Sequence, residues 1–252
     1  MRLTVLGSSG TYPRPGGACS GYLIQDGGTN LVMDLGNGCL SNLLKLLEVT
    51  EVHAVVISHM HVDHFADLYP LYYALRFHPD RPWGLRLILP RGGLELMGCL
   101  LGEEGRSYLT RVFAAEDLEE GRSYRVGGMV LNAFPTVHPV EGYGLRVQGD
   151  AWSMVYSSDT SWLPGLVEWA RSADLFICEA TLPDAYREEA SRFHLTARQA
   201  GEAAAMAGVK RLLITHIWPT FDPRAMLDEV REAYAGSLDL AVEGMQLDLG
   251  GG

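Results

Sequence analysis

The sequence predicts an α/β chain folded as a four-layer αββα sandwich, with two mixed sheets packed face to face and helices outside. Two observations predict it. Apolar strand-like runs alternate with helix-like runs, but not as the clean βα series of a single doubly wound sheet. Polar, chemistry-bearing residues recur just after the strand-like runs, where rigid strand ends build a site. The 252 residues are 47% hydrophobic and 20% charged, enough for a sizeable core. No linker, low-complexity segment or repeat interrupts them, so 1–252 reads as one domain with a flexible tail at 249–252.

The opening is β-rich: Arg2–Leu6, Gly21–Gln25 and Asn30–Asp34, joined by glycine-rich turns. Asn42–Glu48 is leucine-rich and reads as helix. Residues 53–57 read as a buried strand that delivers the run His59-Met60-His61-Val62-Asp63-His64. His64–Phe77 reads as one helix with Phe65, Leu68, Tyr72 and Leu75 on a stripe, ended by Pro79 and Pro82. Leu85–Leu89 is strand and Leu94–Leu101 helix. Several strands crowd into 111–157, among them Met129–Phe134, Tyr143–Val147 and Ser153–Tyr156. Helix 164–171, strand Leu175–Cys178 and helix 197–207 follow, the last opened by a capping box, Thr196-Ala197-Arg198-Gln199. Strand Arg211–Thr215, helix 224–234 and a short strand near 238–242 complete the order.

The net charge of −11 argues against general affinity for nucleic acid or anionic membrane, which needs clustered Lys and Arg. It does not exclude an anionic substrate, because two divalent ions would add about four positive charges locally. No apolar run reaches the roughly eighteen residues of a membrane helix, and the start turns glycine-rich too soon for a signal peptide. A cytoplasmic location is the default expectation. Cys19, Cys39, Cys99 and Cys178 form no C-x-x-C pair and read as small buried hydrophobes rather than disulfides or a zinc knuckle.

The run 59–64 places four possible metal ligands in six residues. In extended chain, residues two apart share a side, so His59 and His61 can close on one ion. Asp63 and His64, past the turn, can face a second. His138, Asp159 and His216 each follow a strand. Alone, His138 reads equally as a loop histidine, Asp159 as a helix cap and His216 as a core histidine; their order and placement beside the cluster favour a joint metal site. His59, His61 and His138 would make one half, Asp63, His64 and His216 the other, with Asp159 as bridge. Imidazole and carboxylate without thiolate suit two zinc ions, with manganese or iron as alternatives. Two ions roughly 3.5–4 Å apart can clamp attacking and leaving oxygens and lower the pKa of a shared water towards ~7.

The run 59–64 resembles the H-x-H-x-D-H motif of the metallo-β-lactamase superfamily, and His138, Asp159 and His216 resemble its later metal motifs in the right order. The resemblance spans about residues 2–220 and implies a binuclear hydrolase using a metal-bridging hydroxide. Asp34 is similar to the superfamily's structural aspartate. Asp159-Thr160, the run Ala173–Thr181 and His194-Leu195-Thr196 resemble the ribonuclease Z and phosphodiesterase branch, which implies that Asp63, Glu179 and His194 are catalytic, the last two near the leaving group. Taken alone, Glu179 also reads as a solvent-facing strand-end charge and His194 as a loop histidine. Long ribonuclease Z forms insert a tRNA-gripping arm between the positions matching His138 and Asp159. Here only twenty residues lie between them, and Lys45 and Lys210 are the only lysines.

The expected activity is therefore hydrolysis of a small phosphodiester, a cyclic nucleotide or short RNA, without an extended nucleic-acid platform. The alternatives are hydrolysis of lactones, thioesters or β-lactams by the same centre, and a non-catalytic metal-binding scaffold. The loop Gly7–Arg14 is expected beside the site, with its amides and Arg14 as candidate substrate contacts or a plain turn. Trp83, in the loop 77–83, is a candidate base-stacking residue or a structural one. Tyr69, Tyr72 and Tyr73 suggest either a homodimer face or core packing. His53 has no assigned role.

Overall fold

The computed structural model describes residues 1–250. Its first sheet is built from β1 (Arg2–Gly7), β2 (Gly21–Asp26), β3 (Thr29–Leu35), β4 (Ala54–Val56), β5 (Leu85–Leu89) and β6 (Phe113–Asp117). The second holds β7 (Ser123–Val126), β8 (Met129–Pro135), β9 (Tyr143–Gln148), β10 (Ser153–Tyr156), β11 (Leu175–Glu179), β12 (Arg211–Thr215) and β13 (Ser237–Leu240). A last strand, β14 (Gln246–Asp248), returns to the first sheet and pairs with β1. The strand orders are β14-β1-β2-β3-β4-β5-β6 and β13-β12-β11-β10-β9-β8-β7. Each sheet is half antiparallel and half parallel, the parallel runs being β3 to β6 and β10 to β13.

The period of two along each strand sorts the side chains into layers. Leu31, Met33, Ala54 and Val56 of the first sheet meet Met154, Leu175, Ile177 and Leu213 of the second in the central core. Their sequence neighbours Val32, Val55, Phe176, Leu212 and Ile214 face outward. Outside the first sheet lie α1 (Cys39–Leu43), α2 (Val62–Phe65), α3 (Leu68–Phe77), α4 (Gly93–Gly98) and α5 (Gly102–Val112). Outside the second lie α6 (Pro164–Ala170), α7 (Arg187–Ala190), α8 (Ala197–Ala207) and α9 (Pro223–Ala233). The expected αββα sandwich is what forms.

Two local expectations are corrected. The single helix 64–77 is broken at residues 66–67. Asp67 turns inward, its amide donating to Leu35 O (3.0 Å) and its carboxylate accepting from Leu40 N (2.8 Å). Pro70 has no amide proton, and restarting the helix at Leu68 puts it in the first turn, where none is needed. The helix expected at 42–48 lies earlier, with Asn42 donating to Leu6 O (2.7 Å). Leu249 exchanges hydrogen bonds with Met1 in both directions (2.9 and 3.0 Å). Residues 251–252 lie outside the described residues. Among the described residues no helix is long and apolar enough to cross a membrane.

Candidate metal centre

Every candidate ligand sits where a strand leaves the core. β4 delivers Ser58 and His59, then His61 and the short α2 with Asp63 and His64. β8, β10 and β12 deliver His138, Asp159 and His216. Tyr143 N donates to Ser58 O (3.0 Å) and His59 bridges to Gly142, which ties the two sheets together at this edge.

The structure brings all seven together. His59, His61 and His138 have donor atoms within 4.8 Å of one another, and so do Asp63, His64 and His216. Asp159 lies between them. Its Oδ2 is 3.3 Å from His216 Nε2, 3.8 Å from His59 Nε2 and 4.0 Å from His138 Nε2, while its Oδ1 is 3.4 Å from His64 Nε2. The residues of both triplets read from the sequence come together, with Asp159 between them.

The hydrogen-bond partners fix which nitrogen of three rings faces inward. His64 Nδ1 donates to Asp34 Oδ2 (2.8 Å) and His138 Nδ1 to the carbonyl of Phe193 (3.0 Å). Thr181 spends its only proton on Glu179 Oε2 (2.5 Å), so it accepts from His216 Nδ1 (2.8 Å). In its neutral form each ring therefore turns a lone pair on Nε2 into the cluster, as ligands require. His64 Nε2 and His216 Nε2 lie 3.3 Å apart. With both rings neutral, those lone pairs repel unless a cation lies beside them.

Two buried atoms carry the test of fit: His59 Nε2 and Asp159 Oδ1 have no hydrogen-bond partner. A buried polar atom left unpaired costs about 1–3 kcal/mol, and both point to the same cluster as the ring lone pairs. Charge points the same way. Burial disfavours a charged His64, but Asp159, Asp63 and Asp34 outweigh it and raise its pKa well above the ordinary range. A field that holds an extra proton attracts a cation as well. Burial keeps His59, His61 and His138 low, hence neutral and able to coordinate. The residues present fit divalent ions held by nitrogen and oxygen.

Beside the cluster, Glu179 is fully buried rather than solvent-facing. Its carboxylate accepts from Thr160 N (2.5 Å), Leu195 N (3.1 Å) and His194 Nδ1 (3.2 Å). Burial would lower the pKa of His194, but the charge and hydrogen bond of Glu179 prevail and push it up to about 9. His194 lines a cavity of about 430 Å³ together with His61, Asp63, His138 and Asp159.

Some contacts escaped the sequence. Thr11 N donates to Asp63 Oδ2 (2.7 Å), so the loop 7–14 does reach the site, through its backbone. Gly10 permits this: a Cβ there would stand 2.4 Å from His216 O. Arg14 points away, its guanidinium bonding Trp218 O (3.5 Å) and Phe221 O (3.4 Å), and it does not line the cavity. Trp83 packs against Tyr108 and Arg111 outside the first sheet instead of at the site. Trp218, two residues past His216, and Phe193, beside His194, are the aromatic residues that line the cavity. Adjacency to candidate ligands was the available signal. Of the cysteines, Cys19, Cys39 and Cys178 are buried as expected, whereas Cys99 is exposed; none is bonded.

An αββα sandwich with a histidine–aspartate cluster at one edge defines a class, and the comparisons agree: residues 29–217 match the model of the beta-lactamase superfamily domain. The chain belongs to that family. It is 34% identical over 257 residues to uncharacterized protein ML1173 of Mycobacterium leprae (99% of this chain, 89% of that one). It is 30% identical to the probable metallo-hydrolase YhfI of Bacillus subtilis (97% and 98%), whose crystal structure superposes with a TM-score of 0.88 at 26% identity over 98% of this chain and 99% of that one. Ribonuclease Z of Haloferax volcanii is 27% identical over 302 residues (99% and 95%).

Proposed function

We propose that this protein is a two-metal phosphodiesterase with a ribonuclease Z-like core, acting on a cyclic nucleotide or a short RNA rather than precursor tRNA. The observation that carries this reading is His194 in the wall of the cavity, backed by the buried carboxylate of Glu179, beside a cluster that fits cations. Relatives named metallo-hydrolase and ribonuclease Z support it. His59, His61 and His138 would hold one ion, Asp63, His64 and His216 the other, and Asp159 would touch both. Bound there, zinc, or else manganese or iron, would supply positive charge and acidify water.

The chain's own groups do the rest. Thr11 N–H fixes Asp63 at the cavity wall. Glu179 accepts a hydrogen bond from His194 Nδ1–H, which leaves the Nε2 proton of the charged ring free to pass to a departing alkoxide. His194→Ala should retain its metal and lose ~10²-fold or more in kcat on a cyclic nucleotide, the range for general acids. The loss should be smaller on bis-(p-nitrophenyl) phosphate, whose leaving group needs little protonation. Unchanged turnover of the cyclic nucleotide would defeat this role. Hydrolysis of lactones, thioesters or β-lactams would give the pair less to do; lactone turnover without phosphodiester turnover would select that alternative. The aromatic side of α3 divides: Tyr72 is buried, while Tyr73 and Phe77 stack at the surface (6.0 Å) and would be the place for a homodimer.

A further inference from the structure

The cavity is divided by chemistry. His61, Asp63, His138, Asp159 and His194 form its reactive side, and Val62, Pro139, Phe193 and Trp218 its apolar side. Val62 is 68% and Phe193 43% exposed, so the apolar side is also the mouth. Among the described residues no lysine or arginine lines it, in a chain that has twenty.

Both large rings are held in place before any ligand arrives. Phe193 stands edge-on to His138 (6.4 Å, 83°), and its carbonyl fixes that histidine. Trp218 stands edge-on to His194 (6.2 Å, 76°) and lies parallel to Phe221 (6.3 Å, 10°); Arg14 secures the carbonyls of both from behind. A ring fixed by its neighbours loses little freedom on binding.

We infer that Phe193 is the platform on which the planar base of a nucleoside phosphodiester stacks, with Trp218 as the second aromatic wall, and that the substrate carries a single negative charge. This rests on the phosphodiesterase reading. Stacking on a protein ring needs only a π-face, which every base has. The absence of cationic side chains speaks for the single charge. A second phosphate or a long RNA backbone would enter a mouth that offers it no counter-charge. The volume suits one nucleotide-sized ligand, at the lower end of the roughly 300–1,000 Å³ range of small-molecule sites.

The test compares a purine 3′,5′-cyclic nucleotide with methyl p-nitrophenyl phosphate, a diester without a base, on the metal-loaded full-length protein. Phe193→Ala should lower the ratio of kcat/KM values, nucleotide over methyl ester, about 10-fold or more, mostly through KM, the order expected for one stacked base. Phe193→Trp should restore it, and Leu100→Ala, an exposed change in the turn between α4 and α5, should leave it unaltered. Calorimetric titration with adenosine, which has a base and no phosphate, reads the platform without chemistry; its Kd should rise about 10-fold in Phe193→Ala. Equal losses on both diesters, or unchanged adenosine binding, would overturn the platform and leave the phosphodiesterase reading standing. A protein inert on every diester that still bound adenosine through Phe193 would do the reverse. A dimer that dissociates in Phe193→Ala without weaker adenosine binding would assign the mouth to a second copy and overturn the proposal.

Discussion

Asp34 shows how much of the site is carried by a residue that touches no substrate. It adopts a left-handed backbone (φ 53°), uncommon for a side-chain-bearing residue, at the end of β3. From there it accepts from Ser58 N (2.7 Å), Ser58 Oγ (2.8 Å), His64 Nδ1 (2.8 Å) and the hydroxyl of Tyr156 (2.9 Å). Ser158 and His216 share the left-handed conformation, so strain concentrates at this edge. Asp34→Asn keeps the shape but turns an amide N–H toward one of these donors. We expect metal affinity to fall by about 10–100-fold, as for other partners of ligating histidines, read by chelator competition on the folded variant; undiminished affinity would show that Asp34 is not orienting His64. The histidines and aspartates of the cluster were legible in the sequence because their types and spacing are chemical. The groups that orient them were not, Asp34 excepted. A backbone carbonyl such as that of Phe193 leaves no trace in sequence, and hydroxyls such as Thr181 and Tyr156 are too common to single out.

The elements were legible where one local rule decided them. Thr196 and Gln199 form the capping box that their spacing announced, with Gln199 N donating to Thr196 Oγ1 (3.2 Å) and Thr196 N to Gln199 Oε1 (2.9 Å). The same threonine hydroxyl donates to Asp184 Oδ1 (2.8 Å). Thr196→Ala should destabilise the protein by about 0.5–2 kcal/mol, the cost of a lost cap, and Thr196→Ser should recover most of it. Urea unfolding would measure both, and an unshifted midpoint for the alanine variant would refute the cap's contribution. Elements set by distant partners were missed. The break at Asp67 depends on Leu35 and Leu40, and α5 hides its apolar face, Leu109 and Val112, among Gly102, Gly105 and charged residues. Three-residue β14 has meaning only beside β1.

Across the whole molecule, the layers followed from alternation along the strands, because each strand that is buried on both faces must feed two cores. That burial also sets a limit in alkali. Cys39 and Cys178 are fully buried, and burial first, then nearby carboxylates, raise both thiols well above their ordinary value of 9.0. The folded chain therefore keeps protons that the unfolded chain releases. The stability tied to them is complete below pH 9 and is lost as pH rises beyond it, by about 1.4 kcal/mol per thiol per pH unit. Urea midpoints at pH 8 and pH 10 should differ accordingly, and Cys178→Ala should narrow the gap; equal midpoints would contradict it. The seam between the sheets has a different consequence. Its donors are drawn from both halves of the chain, from His59 to His216, so a cation held there would act as a rivet between layers that are otherwise joined by packing and a few hydrogen bonds such as Tyr156 hydroxyl to Asp34. The group around Asp63 and His64 is complete only once His216 has been made, so the full set of donors exists only after β12 has joined the second sheet.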